Sequence, residues 1–321
     1  MKPLRLLFVL LACFAVPAHA QSWPSKPVRI VVAYPPGGGI DVMARQIAER
    51  LGSAWGQPVV VENKPGGHTI IAADAVAKSA PDGHTILMTS DATFSINPHL
   101  YKKMPFDTQR DFIPVTMLLL LQQMLVGHPA LPADSLDELI KLAKAKPGTI
   151  NYASYGSGSQ PHLAGEMLKH KAGIDLVHVP YKGISLAVPA VMAGEVQLTF
   201  AGIATSTPQL KAGRIKAFAI GGPARSPLFP QIPTFTELGY PEVETHAWFG
   251  FFVPAGSPKV AVSRIHSDVK RILDDAEFRD KQLIARGYDV VASSPDAFAA
   301  YIRKDSRNRA QAVRISGAKV E

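Results

Sequence analysis

The chain has 321 residues, is 47% hydrophobic and 19% charged, and carries a formal net charge of +8 with a single cysteine. A chain of this length buries enough apolar surface to support two domains. Its basic residues are scattered and form no aromatic-interleaved run, which argues against nucleic acid as a partner. The modest positive excess instead favours small anionic ligands through electrostatic steering.

The first residues, Met1–Ala20, have the pattern of a secretory signal peptide. A basic start is followed by an apolar run too short to span a membrane and by the cleavage pattern Ala18-His19-Ala20. A lipoprotein site at Cys13 is the less favoured alternative, because Leu11 is bulky where such sites take a small residue. Cleavage after Ala20 leaves a chain with no thiol, and such an exported protein needs neither a disulfide nor a thiol nucleophile. We therefore expect a periplasmic protein from which residues 1–20 are removed.

Residues 28–51 predict a buried strand, a glycine-rich turn and an amphipathic helix. The strand Val28–Ala33 is apolar and ends at Pro35-Pro36-Gly37-Gly38-Gly39. Apolar residues at helical spacing share one face of the helix: Ile40, Met43, Ala44, Ile47, Ala48 and Leu51. Asp41 suits the first turn, where the N–H groups have no carbonyl partner, and the glycines allow an anion to approach them. The alternative is that the glycines only form a tight turn.

Strand and helix patterns continue to alternate along the first half of the chain. Predicted strands at Pro58–Glu62 and His84–Thr89 are separated by a glycine turn and an alanine-rich helix ending near Ala80. Such alternation predicts parallel βαβ units that place ligands at the carboxyl ends of the strands. The long apolar segment Ile113–Gly127 is interpreted as the first crossing between two domains.

The second half repeats the opening unit in pattern, though not in residue identity. Residues 149–170 predict a strand, the turn Tyr155-Gly156-Ser157-Gly158-Ser159 and a helix. A short strand and a Lys182-Gly183 turn follow, as they do in the first unit. We infer two similar lobes, each with a helix N-terminus at its strand ends. Gly221-Gly222-Pro223 and the proline-rich stretch that follows to Pro233 are interpreted as the return crossing.

The predicted architecture is therefore α/β with two domains, each a mainly parallel sheet flanked by helices. Domain 1 is expected to comprise residues 21–120 and 223–321, and domain 2 residues 121–222, joined by crossing strands. The aromatic strand His246–Pro254 contains Trp248 and Phe249, which we interpret as core residues rather than ligand-stacking residues.

Motifs for catalysis are largely missing. The chain has no G-x-x-x-x-G-K-[ST], G-x-S-x-G or H-E-x-x-H, and no cofactor is predicted. No metal site is predicted, because His162 and His170 lie eight residues apart on a predicted helix with no carboxylate placed to complete a set of ligands. Ser157 or Ser159 as a nucleophile would make the protein an exported hydrolase, the least favoured alternative, since no base adjoins them in sequence. His162 begins a helix, where it would cap, line a cleft or be solvated.

A series of motifs runs through the whole mature chain in order. They are Y-P-P-G-G-G-I-D-x-x-A-R, V-x-N-K-P-G, A-P-D-G-H-T, I-N-P-H-L-Y-K-K-M-P-F-D, N-Y-A-S-Y-G-S-G-S-x-x-H-L-A-G-E, H-V-P-Y-K-G, R-S-P-x-x-P-x-I-P-T and W-F-G-F-F-V-P-A-G-S-P. With the signal peptide, this series resembles the substrate-binding proteins of tripartite tricarboxylate transporters, the TctC or Bug receptor family.

The resemblance implies a periplasmic two-domain receptor of the Venus-flytrap type, similar to type II binding proteins and not an enzyme. Such receptors bind a small carboxylate and offer it to a membrane permease. One ligand carboxylate rests on backbone N–H groups at the first glycine turn, and the turn of the second domain closes over it. The implied ligand is a dicarboxylate, a tricarboxylate, an acidic amino acid or an aromatic acid, and a monomer is expected.

Carrying the family's site onto this chain gives two sets of candidate ligand-binding residues. The first set is Tyr34, Pro36, Gly38, Gly39 and Asp41, with Ser90 and Thr93 as weaker candidates, and the second is Ser157, Gly158, Ser159 and His162. The chain departs from the family at Gly67-His68-Thr69-Ile70, where relatives commonly have further glycines and an asparagine. His68 is therefore an additional candidate for contact with a carboxylate. A receptor that presents its ligand to a membrane sensor is the alternative to one that serves transport.

Overall fold

The computed structural model describes residues 23–181, 184–222, 224–243 and 245–318. The predicted signal peptide, the Lys182-Gly183 turn and Pro223 of the predicted return crossing lie outside these ranges. Within them, no helix combines the length and the apolar character needed to cross a membrane.

Two β-sheets organise the chain. The first is built from β1 (Val28–Val32), β2 (Val59–Asn63), β3 (Thr85–Ser90), β4 (Phe112–Leu121), β10 (Ala247–Pro254) and β11 (Tyr288–Val290), in the order β11-β4-β10-β3-β1-β2. The second is built from β5 (Gln123–Gly127), β6 (Asn151–Ser154), β7 (Val177–Pro180), β8 (Leu198–Gly202) and β9 (Lys216–Gly221), in the order β7-β6-β8-β5-β9. We call the parts around the first and second sheets the first and second lobes.

Both sheets are mixed, but most of the described strands of each run in one direction, in line with the expectation of mainly parallel sheets. In the first sheet β1 is parallel to β2 and β3, but β10 is antiparallel to β3 and β4. In the second, β6 is parallel to β7 and β8, but β5 is antiparallel to β8 and β9. The parallel pairs come from the βαβ units, whose helices return the chain to the same edge of the sheet. In the first sheet β10 and β11 run against the other strands, and in the second sheet β5 runs against the other strands.

Helices flank the two sheets. They are α1 (Gly39–Trp55), α2 (Ile70–Ala77), α3 (Asn97–Leu100), α4 (Leu136–Ala145), α5 (Gln160–Ala172), α6 (Ile184–Ala193), α7 (Ile203–Lys211), α8 (Lys259–Asp274), α9 (Ala276–Phe278) and α10 (Pro295–Ser316). Short 3₁₀ turns at Gly67–Thr69 and Ile284–Arg286 and wider turns at Ala92–Ile96 and Arg279–Leu283 complete the elements. Sequence patterns did not indicate α7, which contains Pro208, or the three-residue strand β11.

The predicted face of α1 is the face that the structure buries. Met43, Ala44, Ile47 and Leu51 are at most 2% exposed and pack into the core of the first lobe. The helix ends at Gly56, whose φ of 64° is the left-handed conformation that glycine adopts readily. Burial of this stripe fixes α1, and with it the glycine turn, on the first sheet.

The chain passes between the lobes at Gln122, since β4 lies in the first sheet and β5 in the second. The C-terminal helix α10 packs on β4 and also on α5 of the second lobe. Its last turns place Ala312 and Val313 in the apolar core of the second lobe. The predicted domain boundaries remain a prediction, but α10 contacts both lobes.

Candidate functional site

The first glycine turn lies at the carboxyl edge of the first sheet, and Pro36–Gly39 are exposed to solvent. Gly37 has φ +82°, a conformation that requires glycine here, and Gly38 is extended at φ −74° and ψ 164°. The N–H groups of Gly38 and Gly39 donate to no acceptor among the described residues. The start of α1 thus offers exposed donors and the positive end of the helix dipole.

The carboxylate of Asp41 holds this turn from beneath. It is 2% exposed and accepts hydrogen bonds from Gly37 N at 2.9 Å, Asn63 Nδ2 at 2.8 Å and Arg45 Nε at 3.0 Å. Burial acts to raise the pKa of Asp41, but the donors outweigh it and hold the pKa below its ordinary value. Because both oxygens are engaged by the protein, Asp41 positions the turn rather than facing a ligand.

The hydroxyl of Tyr34 joins the first turn to the end of β3. It donates to Ser90 Oγ at 2.6 Å, and its ring packs edge-on against Phe249 at 5.7 Å. Ser90 is buried and also accepts from Ala92 N at 3.1 Å. The parallel pairing of β1 with β3 places these two predicted residues together, because both follow the ends of neighbouring strands.

His68 lies in a strained turn before α2. Four consecutive residues have positive φ: Gly66 at 116°, Gly67 at 54°, His68 at 49° and Thr69 at 77°. A positive φ is uncommon for histidine and is a real outlier for the β-branched Thr69. The His68 carbonyl accepts from Asn97 Nδ2 at 2.7 Å, and its exposed ring meets Tyr101 edge-on at 6.2 Å. The turn is therefore held in a conformation that presents the imidazole to solvent.

Thr93 supports this turn from within the protein. It is fully buried, and its Oγ1 lies 2.6 Å from Thr69 Oγ1 and 2.5 Å from Thr89 Oγ1. With its hydroxyl engaged by two others, Thr93 lies behind the candidate site and does not line its surface.

The second glycine turn precedes α5. Ser157 is exposed, whereas the Ser159 hydroxyl donates to the Gly156 carbonyl at 2.6 Å. Gly158 has φ +76°, and its N–H donates to His162 Nδ1 at 3.1 Å. A Cβ on Gly158 would lie 2.9 Å from Leu100, so this turn packs closely on α3. The Gly158 N–H is thus occupied, and within this set Ser157 is exposed to solvent while Ser159 is half-buried.

His162 is buried and stacks on His178 with ring centroids 4.0 Å apart. Burial lowers the pKa of His162; the charge of Glu166 opposes this shift and the charge of Lys169 adds to it. A lowered pKa favours the neutral ring, whose Nδ1 can accept the hydrogen bond from the Gly158 N–H. Burial lowers the pKa of His178 to about 4, and the charge of a protonated His162 would add to this shift.

The hydrolase alternative does not match these contacts. The serine beside a histidine is Ser154, whose Oγ lies 2.6 Å from His178 Nε2, and Ser154 is fully buried. No histidine bonds to Ser157 or Ser159 among the described residues. In the same ranges, no three His, Cys, Asp or Glu side chains are grouped so as to hold a metal ion.

One segment, residues 90–101, connects the two glycine turns. Ser90 contacts Tyr34, Asn97 holds the His68 carbonyl, and Leu100 packs on Gly158. A second connection lies at the lobe crossing, where Gln122 accepts from Ile203 N at 3.2 Å. Residues 90–101 therefore contact Tyr34 beside the first glycine turn, the His68 turn and the second glycine turn.

Sequence reasoning missed some residues of this region. The Tyr288 hydroxyl stands where a Cβ on Gly39 would lie, and α7 begins beside Gly287, whose added Cβ would be 3.2 Å from Ala204 N. The sequence signal that could have predicted α7 is the apolar strand β8, which ends at Gly202 directly before the helix, as in the other strand-glycine-helix units. A cavity of about 800 Å³ lies elsewhere, along Pro98–Arg110, and is lined by none of the predicted residues.

Two lobes are joined by crossing strands, and glycine turns and helix starts lie between them. This is the architecture of a solute-binding protein. The family model described as the tripartite tricarboxylate transporter family receptor, TctC, matches residues 43–317. The chain therefore belongs to this family of periplasmic solute-binding receptors, and the expectation that it is not an enzyme agrees with that membership.

Relatives and solved structures agree with the family. The chain is 34% identical to Protein BugT of Bordetella pertussis over 98% of this chain and 97% of that protein. It matches R. palustris Rpa4515 with adipate at a TM-score of 0.80 and 31% identity, covering 93% of this chain and 100% of the other. It matches MatC from Rhodopseudomonas palustris with bound malate at a TM-score of 0.75 and 29% identity, covering 91% and 100%. The predicted two-domain α/β binding-protein fold is thereby confirmed.

Proposed function

We propose that this receptor binds a small carboxylate between its lobes, through backbone N–H groups at the starts of α1 and α5. It delivers the ligand to the membrane permease of a tripartite tricarboxylate transporter and acts as a monomer in the periplasm, after removal of residues 1–20. Family membership supports the class of function, and adipate and malate in the neighbouring structures support the ligand class.

The observation that carries the proposal is the exposed start of α1. Gly38 and Gly39 offer uncommitted N–H groups, and Asp41 fixes their direction by holding Gly37 and Asn63. A hydrogen bond to a charged group contributes about 1.5–3 kcal/mol, and a helix terminus adds about 0.3–1 kcal/mol. Two such donors and the opposite lobe support micromolar binding after the cost of closure.

The opposite end of the ligand faces polar side chains rather than backbone N–H groups. Ser157 offers an exposed hydroxyl, and His68 offers an exposed imidazole beside the Tyr101 ring. We propose that these groups contact the second carboxylate or the body of the ligand. Since relatives commonly carry glycines and asparagine at the His68 turn, the ligand of any one relative does not transfer directly.

The test is a melting-temperature screen of residues 21–321 against adipate, malate, citrate, glutamate and benzoate. A ligand at about a hundred times its dissociation constant stabilises the folded state by roughly 2.7 kcal/mol. We expect a shift with at least one acid and none with its uncharged amide, such as adipamide. Equal shifts with acid and amide, or no shift from any acid with ligand-free protein, would contradict carboxylate recognition. Co-purification of the ligand-bound receptor with a permease, rather than with a membrane sensor, tests delivery.

A further inference from the structure

A buried carboxyl group lies directly behind the Tyr34 hydroxyl. Asp91 follows β3, is 3% exposed, and its Oδ2 accepts no hydrogen bond from the described residues. The nearest cation is Arg309, whose Nη2 lies 3.6 Å from Oδ2. Arg309 is shared with Asp305, since its Nε lies 3.3 Å from Asp305 Oδ1. Two carboxyl groups around one guanidinium leave a buried excess of negative charge when both are ionised, which is costly.

A further cation that acts on this cluster is Lys304, which is exposed to solvent and whose charge helps to lower the pKa of His246. Asp305 Oδ2 accepts from Trp248 Nε1 at 2.7 Å, and Arg309 Nη2 donates to the His246 carbonyl at 2.8 Å. His246 Nε2 lies 2.6 Å from the Tyr301 hydroxyl. Burial, reinforced by Arg309, lowers the pKa of His246 to about 4, so its ring is neutral at physiological pH.

A proton is the simplest way to neutralise the excess charge. Burial raises the pKa of Asp91 to about 7; Arg309 opposes this shift and Asp305 adds to it. The Ser90 side chain and the Ala92 N–H also act on Asp91 by hydrogen bonding and oppose the rise of its pKa, and Tyr34 lies beyond Ser90.

A chain of hydroxyl groups runs from Asp91 to Tyr34, the residue that directly precedes the first glycine turn. The Tyr34 hydroxyl donates to Ser90 Oγ at 2.6 Å. Ser90 adjoins Asp91 in the chain, and its side chain lowers the pKa of the Asp91 carboxyl by hydrogen bonding. An ionised Asp91 is only an acceptor, so the chain must run from Tyr34 through Ser90 to Asp91. A protonated Asp91 is a donor and lets the chain run the other way, which frees the Tyr34 hydrogen for an acceptor at the turn.

We propose that Asp91 is a proton-binding positioning residue that turns the Tyr34 hydroxyl toward the ligand, so that carboxylate binding takes up one proton from solvent. This inference rests on the proposed function. The proton stays on Asp91, and no covalent bond to the ligand forms or breaks. The ligand carboxylate then accepts from Tyr34 directly or through one water, and its negative charge strengthens the hold of Asp91 on the proton.

The sign of the pH dependence follows from this linkage. Below about pH 7 Asp91 is already protonated, and affinity does not change with pH. Above that value each ligand must bring a proton with it, so the dissociation constant rises up to about tenfold per pH unit. An asparagine at this position can still donate to Ser90, and its binding no longer depends on pH.

The experiment is calorimetric titration between pH 6 and 8.5 with adipate, or with whichever screened acid gives a larger melting shift. Measurements in phosphate and Tris, whose ionisation enthalpies differ, give the number of protons taken up. For the unchanged chain we expect close to one proton above pH 7. Asp91→Asn is expected to bind with less than a twofold change across the range and no proton uptake, and Ser90→Ala to lose proton uptake while Asp91 remains.

The matched control is Asp289→Asn, which removes another carboxyl whose pKa burial raises but which lies outside the hydroxyl chain. It should retain the proton uptake. Carbon NMR of the Asp91 carboxyl provides a readout without ligand and should show titration near neutral pH. An ordinary acidic titration, or pH-independent binding by the unchanged chain, would overturn this inference and leave carboxylate binding standing. Failure of every acid to bind would instead count against the proposed function, and the NMR titration would still judge Asp91.

Discussion

The exposed glycine at the start of α1 permits a sharp separation of binding from folding. Gly38 has φ −74° and ψ 164°, an extended conformation that valine adopts readily, and a Cβ there would meet only the Pro35 carbonyl at 3.8 Å. Gly38→Val should therefore change the free energy of unfolding by no more than about 0.5 kcal/mol, as for other unconstrained surface positions.

The same substitution should weaken ligand binding strongly. The valine side chain would stand over the N–H groups through which the carboxylate is proposed to bind. Loss of one or two charged hydrogen bonds, at about 1.5–3 kcal/mol each, raises the dissociation constant by roughly ten- to a thousandfold or more.

Calorimetric titration and denaturant unfolding of the same preparations measure the two quantities separately. Gly37→Ala is the matched control at the adjacent position, because φ +82° strains an alanine and lowers stability by about 1–2 kcal/mol. Unchanged affinity in well-folded Gly38→Val protein would refute the proposal that the backbone N–H groups at the start of α1 bind the carboxylate. It would mean that the glycines serve only to form a tight turn.

Two further predictions concern the surroundings of the turns. Gly39→Ala should reduce both stability and ligand binding, because the added Cβ would overlap the Tyr288 hydroxyl. Tyr288→Phe in the same chain should restore both, since the next Tyr288 atom is 3.8 Å from that Cβ. A double-mutant cycle without coupling would show that Tyr288 does not constrain Gly39. The pKa of His178 is lowered to about 4, so the unfolded chain binds a proton first and the melting temperature should fall as pH drops from about 6.5 towards 4. His178→Gln should flatten that fall, and an identical pH profile would contradict the assignment.

Local pattern was sufficient for much of the fold. The apolar stripe of α1, the glycine at position 37 and the repeated strand-turn-helix units follow from periodicity and backbone conformation, which are properties of neighbouring residues. The family could be inferred as well, because its motifs are spread along the whole chain. These features do not require knowledge of which distant residues meet.

The direction of each side chain was decided by tertiary contacts. Asp41 turns inward because Asn63 and Arg45 satisfy it, and Thr93 is buried because Thr69 and Thr89 surround its hydroxyl. Both were predicted as ligand residues from their positions alone, and that role stays a prediction that the contacts make less favourable.

The cluster behind the site was invisible in the sequence for the same reason. Asp91 and Arg309 are separated by most of the mature chain, and only the packing of α10 against both lobes brings them within 3.6 Å. The sequence by itself determined most of the strands, turns and helices, though not α7 or β11, because local backbone preferences and apolar periodicity suffice for long, regular segments. Only the tertiary structure decided which polar groups face solvent, and which are buried together and must share a proton, because burial and charge pairing depend on residues far apart along the chain.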